Sequence, residues 1–314
     1  MTPNNQRVAY VNGEVVPEME AKISIRDAGL VYGDSVFDTA RTFNGQLFRL
    51  EEHVDRLFQS LRYSYIDPGM SKQEIIDITN SLVTTNNQFL RDGEDYWVTQ
   101  RITTGMQKLD GEPSGQTGPS VLIDCIPLPL RARARYFRDG IEAAVAERKR
   151  IPPEALSANI KSNNYLNMML AQREVQQQHP SAWALMCDTH GDIAEGAGCN
   201  YFMVKDENVF TPTREFVLPG ISRQVVFEIC QNLGIPVNEQ SITVQQALDA
   251  DEAFFTSTSL CICPVKSLNQ NTYPGGIPGN ITQQITDAFS KLVNFDFVGQ
   301  YLNFLSDSDG STGL

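Results

Sequence analysis

The chain has 314 residues, with 25 Lys+Arg against 38 Asp+Glu, a net charge of −13 and a sequence pI near 4.7. Such acidity argues against the basic face that nucleic acid or an anionic membrane surface requires. Hydrophobic content of 41% and charged content of 20% are those of a globular chain, and no apolar run approaches the roughly 20 residues of a membrane helix. Met1-Thr-Pro-Asn-Asn-Gln lacks signal-peptide character, so a cytoplasmic location is expected. Cys125, Cys187, Cys199, Cys230, Cys261 and Cys263 form no Cys-x-x-Cys pair and mostly sit in apolar segments, which predicts buried, reduced thiols. His53, His179 and His190 show no ligand spacing, so no metal site is expected.

In chain order, Arg7–Val16 reads as two short strands about an Asn12-Gly13 turn, and Val36–Phe43 with Gln46–Leu50 as a second hairpin about Asn44-Gly45. Val54, Leu57, Phe58 and Leu61 recur at helical spacing over Glu51–Tyr63, with acids in the first turn. A second helix is predicted over Lys72–Asn87, then strands over Tyr96–Thr103 and Ser120–Ile126. Ile126–Arg135, with two prolines and three arginines, reads as an interdomain loop. Beyond it, a helix over Asn164–His179 stops at Pro180. Strands follow at Ala182–Asp188, Asn200–Lys205 and Asn208–Pro212, then a helix over Arg223–Leu233 with Gly234 past its end. The domain limits expected are 1–124, a loop over 125–135, a larger domain over 136–305 and a flexible polar tail over 306–314.

Four features could carry chemistry. Lys161 stands at a predicted strand-to-helix junction among apolar residues, where an amine can act as a nucleophile. Asp192-Ile-Ala-Glu195-Gly-Ala-Gly joins a carboxylate to glycines that let backbone approach a ligand, or is a glycine-rich turn. Ser222 in Leu218-Pro-Gly-Ile-Ser-Arg is placed as an N-cap, with the anion-attracting start of a helix beyond it. Phe255-Thr-Ser257-Thr258-Ser259 supplies hydroxyls at the end of an apolar run, or is a strand entering a polar loop.

In this order these segments resemble the class IV, fold-type IV pyridoxal-phosphate family of branched-chain, D-amino-acid and (R)-amine transaminases and aminodeoxychorismate lyase. The resemblance runs from about Val8 to Leu292. It is carried by Tyr32-Gly-Asp-Ser-Val-Phe-Asp, Glu52-His-Val-Asp-Arg56-Leu, Lys161-Ser-Asn-Asn-Tyr165-Leu, Glu195-Gly-Ala-Gly-Cys-Asn, Leu218-Pro-Gly-Ile-Ser-Arg and Asp251-Glu-Ala-Phe-Phe-Thr-Ser-Thr258.

The resemblance implies an α+β chain of two domains, a small N-terminal one and a larger one with a β-barrel-like core. It also implies a homodimer that binds pyridoxal 5′-phosphate. Lys161 would carry the cofactor as an aldimine and shuttle the proton at Cα. Glu195 would face the pyridine nitrogen, Tyr165 the 3′-oxygen and Leu218 the ring. Arg56, Ile221, Ser222, Ser257 and Thr258 would hold the phosphate, while His53 has no assigned chemistry. The implied activity is ping-pong transfer of an amino group from an amino acid or primary amine to a 2-oxo acid.

Substrate features depart from the family's patterns. The branched-chain Tyr-Ile-Arg triplet is matched by Trp97-Val98-Thr99, and the D-amino-acid Thr-Arg-Gly by Thr103-Thr104-Gly105, so neither arginine is present. Strand alternation puts Thr99, Arg101 and Thr103 on one face, making Arg101 a candidate for the substrate carboxylate. Arg131, Arg133 and Arg135 resemble the loop arginine that amine transaminases swing toward a carboxylate. Tyr32 and Phe37 would line the pocket, and Ser259 would offer a donor. The leaning is toward (R)-amines or D-amino acids. The alternatives are an L-branched-chain aminotransferase, an aminodeoxychorismate lyase-like enzyme and a non-catalytic binding protein.

Overall fold

Both Asn-Gly pairs turn the chain as the sequence predicts. Asn12 and Gly13 have φ of 50° and 98°, and Asn44 and Gly45 have φ of 50° and 73°. Left-handed values at both central positions match the twist of the flanking strands, and Asn-Gly reaches them at least cost. In the computed structural model, which describes residues 6–106, 110 and 118–305, the chain forms two compact units. One is Met1–Leu128 with Ile160–Asn164; the other is Pro129–Asn159 with Tyr165–Leu314. The tail expected over 306–314 lies outside the described residues.

The first unit contains strands β1 (Val8–Val11), β2 (Glu14–Pro17), β3 (Ser35–Phe43), β4 (Gln46–Leu47), β5 (Tyr96–Thr103) and β6 (Ser120–Pro127). Its helices are α1 (Ala28–Val31), α2 (Leu50–Tyr63) and α3 (Lys72–Asn86). The strands form one antiparallel sheet in the order β2-β1-β6-β5-β3-β4. Val36, Ala40, Val98, Ile102 and Ile123 are buried with Val54, Leu57 and Leu61 of α2 and Ile75 and Leu82 of α3. A side chain of this kind stabilises by about 1.5–3 kcal/mol when fully buried. Ser71 and Glu74 make a reciprocal capping box that starts α3. Strand alternation sends Phe37, Thr39, Thr99 and Arg101 to the opposite face.

Residues 160–164 return to this unit and run along the edge of β3. The Phe37 N–H donates to the Lys161 carbonyl at 2.9 Å, and the Asn163 N–H to the Ser35 carbonyl at 2.9 Å.

The second unit begins with α4 (Leu130–Asp139), β7 (Ile141–Val145), α5 (Leu166–Gln178), β8 (Trp183–Cys187), β9 (Ile193–Gly196), β10 (Cys199–Lys205) and β11 (Asn208–Thr211). It continues through α6 (Ile221–Leu233), β12 (Val237–Glu239), α7 (Val244–Leu248), β13 (Glu252–Ser257), β14 (Cys261–Leu268), β15 (Asn271–Thr272), α8 (Asn280–Leu292) and α9 (Phe297–Leu302). Six strands close on themselves, β7-β8-β9-β10-β13-β14, because β9 pairs with both β8 and β10 and β14 pairs with β7. Buried aromatics fill this unit: Phe202 stacks on Phe254 at 4.9 Å, and Phe137 of α4 stacks on Tyr301 of α9 at 4.3 Å. The α+β class and the barrel-like core follow.

The loop expected over 125–135 is instead the end of β6 and the start of α4. Pro127 and Pro129 both precede the helix, so neither breaks it. The arginines and alanines that follow are good helix formers, and Leu130, Ala134 and Phe137 bury one face. All six cysteines are buried, and none of them forms a disulfide among the described residues. Among the described residues no helix is long and apolar enough to cross a membrane, and no group of three His, Cys, Asp or Glu could hold a metal ion.

Candidate active site

In the first unit, Lys161 is fixed at both ends of its backbone. Its carbonyl accepts from Phe37, and its N–H donates to Ser60 Oγ of α2 at 3.2 Å. Its Nζ stands 4.6 Å from the centroid of the Phe37 ring, so the amine lies against an aromatic face.

Arg56 of α2 reaches Asp38 of β3 with two parallel bonds, Nε to Oδ2 and Nη2 to Oδ1, both 2.8 Å. His53, one turn earlier, contacts Asp38 Oδ1 through Nδ1 at 2.6 Å. All three are buried. Burial alone would raise the Asp38 pKa, but Arg56 and His53 together hold it far below the usual carboxylate range. Burial pushes His53 down, only partly offset by Asp38. Asp38 therefore stays charged and fixes the plane of the Arg56 guanidinium. Asp38 closes the Tyr32–Asp38 motif but has no role assigned by the resemblance; its own signal is an acid at a strand position that alternation turns toward the helices.

On the other sheet face, Thr39 and Thr99 share a hydrogen bond of 3.1 Å. Arg101 packs over Phe37 with its Cζ 5.9 Å from the ring centroid, and its Nη1 lies 3.7 Å from Asp124 Oδ2. Thr103 is turned away to Asp27, which also accepts from Ser120 and the Gly29 N–H. Tyr32, expected in the pocket, is 64% exposed at the end of α1.

In the second unit, Glu195 of β9 is buried and both its oxygens are engaged. Arg150 donates to Oε1 through Nε at 2.9 Å and lies 2.8 Å away through Nη2. The Leu218 N–H donates to Oε2 at 2.9 Å. The Leu218 carbonyl accepts from the Asn200 side chain at 2.9 Å, so one strand neighbour of Glu195 positions the segment before α6. A Cβ at Gly220 would collide with the Asn200 side chain and displace it from the Leu218 carbonyl, which favours glycine there.

The structure corrects the N-cap. Gly220 caps α6 with no side-chain bond, leaving the first-turn amides of Ile221 and Ser222 available to an anion. Ser222 lies inside the helix, where its hydroxyl donates to the Ser257 carbonyl at 3.1 Å. That bond joins the α6 start to the turn bearing Thr258 and Ser259. Arg133, expected on a mobile loop, is held in α4, where Ser259 Oγ accepts a hydrogen bond from it and burial lowers its pKa. Arg131 is exposed on the same helix, and Arg135 donates to Tyr136. Tyr165 caps α5 directly after the segment carrying Lys161.

A lysine amine on an aromatic face, a buried carboxylate held by an arginine, and a bare helix start beside a hydroxyl-bearing turn fit an anionic, ring-nitrogen cofactor. The fold is that of the fold-type IV pyridoxal-phosphate enzymes. The profile of the amino-transferase class IV family matches residues 35–268. A relative from Methanocaldococcus jannaschii, described as a putative branched-chain-amino-acid aminotransferase, is 34% identical over 90% of this chain and 95% of its own. A D-alanine aminotransferase from Bacillus licheniformis is 30% identical over 90% of this chain and 95% of its own. A branched-chain aminotransferase from Thermobaculum terrenum, solved with pyridoxal phosphate, superposes with a TM-score of 0.80 at 26% identity, over 96% of this chain and 97% of that one. The chain belongs to the class IV aminotransferases and is a pyridoxal-phosphate-dependent enzyme.

Proposed function

We propose that the protein transfers an amino group from an (R)-amine or D-amino acid to a 2-oxo acid, with Lys161 as its catalytic residue. The observation that carries the reading is Lys161, its backbone held by β3 and Ser60 and its amine laid on Phe37. Pyridoxal phosphate, when bound, supplies an electron sink for the charge left at the substrate's Cα. Lys161 Nζ holds the cofactor and takes and returns the Cα proton. Glu195, held in place by Arg150, would face the ring nitrogen and hold its proton. Leu218 would pack against the ring and Tyr165 would hold the 3′-oxygen. Arg56, the Ile221 and Ser222 amides, Ser257 and Thr258 take the phosphate.

The (R)/D reading is supported by Thr99, which stands where branched-chain members carry a strand arginine and is bonded here to Thr39. The second reading, an L-branched-chain aminotransferase, is favoured by the identity to the Methanocaldococcus jannaschii relative. A half-reaction panel tests both through bleaching of the cofactor's visible absorbance. Prompt bleaching by (R)-1-phenylethylamine or D-alanine is the expected result. Bleaching by L-leucine alone would transfer the assignment to the second reading.

Glu195→Gln is expected to lower kcat by about 10²–10³-fold, since it removes a charge that must face the reacting ring. Steady-state kinetics check this, and an unaltered kcat would remove Glu195 from the mechanism.

The reading includes a homodimer. Met19, Ile23, Ile25, Leu30, Val31 and Tyr32 are all exposed within one short stretch of the first unit, an apolar surface of the kind that subunits cover. Ile25→Glu is expected to shift the sedimentation coefficient from dimer to monomer. A monomeric parent protein at micromolar concentration would contradict the dimer.

A further inference from the structure

We propose that Arg101 and Asp124 form a side-chain recognition site for a neutral group that both accepts and donates hydrogen bonds, a carboxamide being the simplest, and that the pair turns away a carboxylate. The inference rests on the aminotransfer reading and names the substrate class of that site.

Strand register places the pair. Thr99 stands opposite Thr39 on one side and Asp124 on the other, and Arg101 stands opposite Phe37 and Leu122. Phe37, Thr39, Thr99, Arg101 and Asp124 therefore share the sheet face opposite α2 and α3. The Phe37 ring carries the Lys161 amine at 4.6 Å and the Arg101 guanidinium at 5.9 Å from its centroid. One aromatic ring thus links Arg101 to the reactive amine.

Both members of the pair have unused bonding capacity. The Arg101–Asp124 separation of 3.7 Å is a charge contact longer than a hydrogen bond, and the Arg101 guanidinium makes no hydrogen bond among the described residues. Asp124 Oδ1 is buried and accepts no hydrogen bond among the described residues. Burial pushes the Asp124 carboxyl up to about 6; Arg101 partly offsets this and Glu18 adds to it.

Three kinds of side chain would fare differently here. An aliphatic group leaves donor and acceptor unfilled. A carboxylate gains Arg101 but meets the Asp124 charge. A carboxamide gives its C=O to Arg101 and its N–H to Asp124 Oδ2, the carboxylate oxygen that faces Arg101, so that each charge gains a partner of the right kind.

Glutamine and glutamate differ only in this group, so the holoenzyme's half-reaction rates with the accepted enantiomer of each provide the test. The expected kcat/KM for glutamine is about tenfold or more above that for glutamate. Asp124→Asn is expected to shrink that ratio by raising the glutamate value. Calorimetric binding of the unreactive probes glutaramate and glutarate should show the same order, and the same narrowing in Asp124→Asn. Equal rates and affinities in the parent protein would overturn the proposal, as would an Asp124→Asn change that moves both substrates by one factor. If Asp124→Asn does not fold, the parent comparison decides alone. Failure of every amine to bleach the cofactor, D-alanine and L-leucine included, would instead overturn the aminotransfer reading, and this proposal with it.

Discussion

Replacing Lys161 with alanine is expected to remove the visible absorbance of the lysine-bound cofactor and to reduce turnover by more than about 10³-fold, because in the proposed mechanism one amine both holds the cofactor and moves the Cα proton. The substitution touches little else. The backbone bonds that fix residue 161 to Phe37 and Ser60 do not involve its side chain, so the fold should persist. Melting temperature and absorbance read together separate the two effects. A folded Lys161→Ala protein that turns over at the parental rate would refute the mechanism.

The second large effect is structural. Asp38→Ala strips the carboxylate from Arg56 and His53, all three being buried. Removing one partner of a buried ion pair leaves an uncompensated charge and costs about 3–5 kcal/mol. Urea unfolding of the two proteins at pH 7 checks this, and a difference below about 1 kcal/mol would show the cluster to be dispensable. The pH dependence has a fixed sign. Because the folded state lowers the Asp38 pKa, its contribution is complete above the ordinary carboxylate range and fades as pH falls toward the folded value. The gap between parent and Asp38→Asn should therefore narrow in acid. Cofactor retention should weaken as well, since Arg56 loses the group that orients its fork.

Local chemistry explains what the sequence revealed. Asn-Gly pairs announced both hairpins, and the spacing of Val54, Leu57 and Leu61 announced α2. The β9 strand was missed because Glu195-Gly196 at its end carries turn residues; what makes it a strand is pairing on both sides, with β8 and β10. The same limit applies to the site. Lys161 and Glu195 stand in recognisable segments, but Ser60 is 101 positions from Lys161 and Arg150 is 45 from Glu195. Such partners are chosen by the folded chain, and periodicity carries no trace of them. Ser222 failed differently: a serine two residues after a Pro-Gly looks like a cap, yet Gly220 takes that position and frees the hydroxyl for Ser257.

The short return of residues 160–164 has a consequence for how the protein is made. The stretch of β3 around Ser35–Phe37 is otherwise an open edge on that side, and an open edge is a template for pairing with another chain. A nascent chain has its first unit's other strands in hand once Pro127 is synthesised, but must build through Asn159 before the covering segment exists. During that interval β3 is exposed to aggregation. The five residues that end the exposure include Lys161, so the first unit gains its covered edge and its lysine at one moment of synthesis.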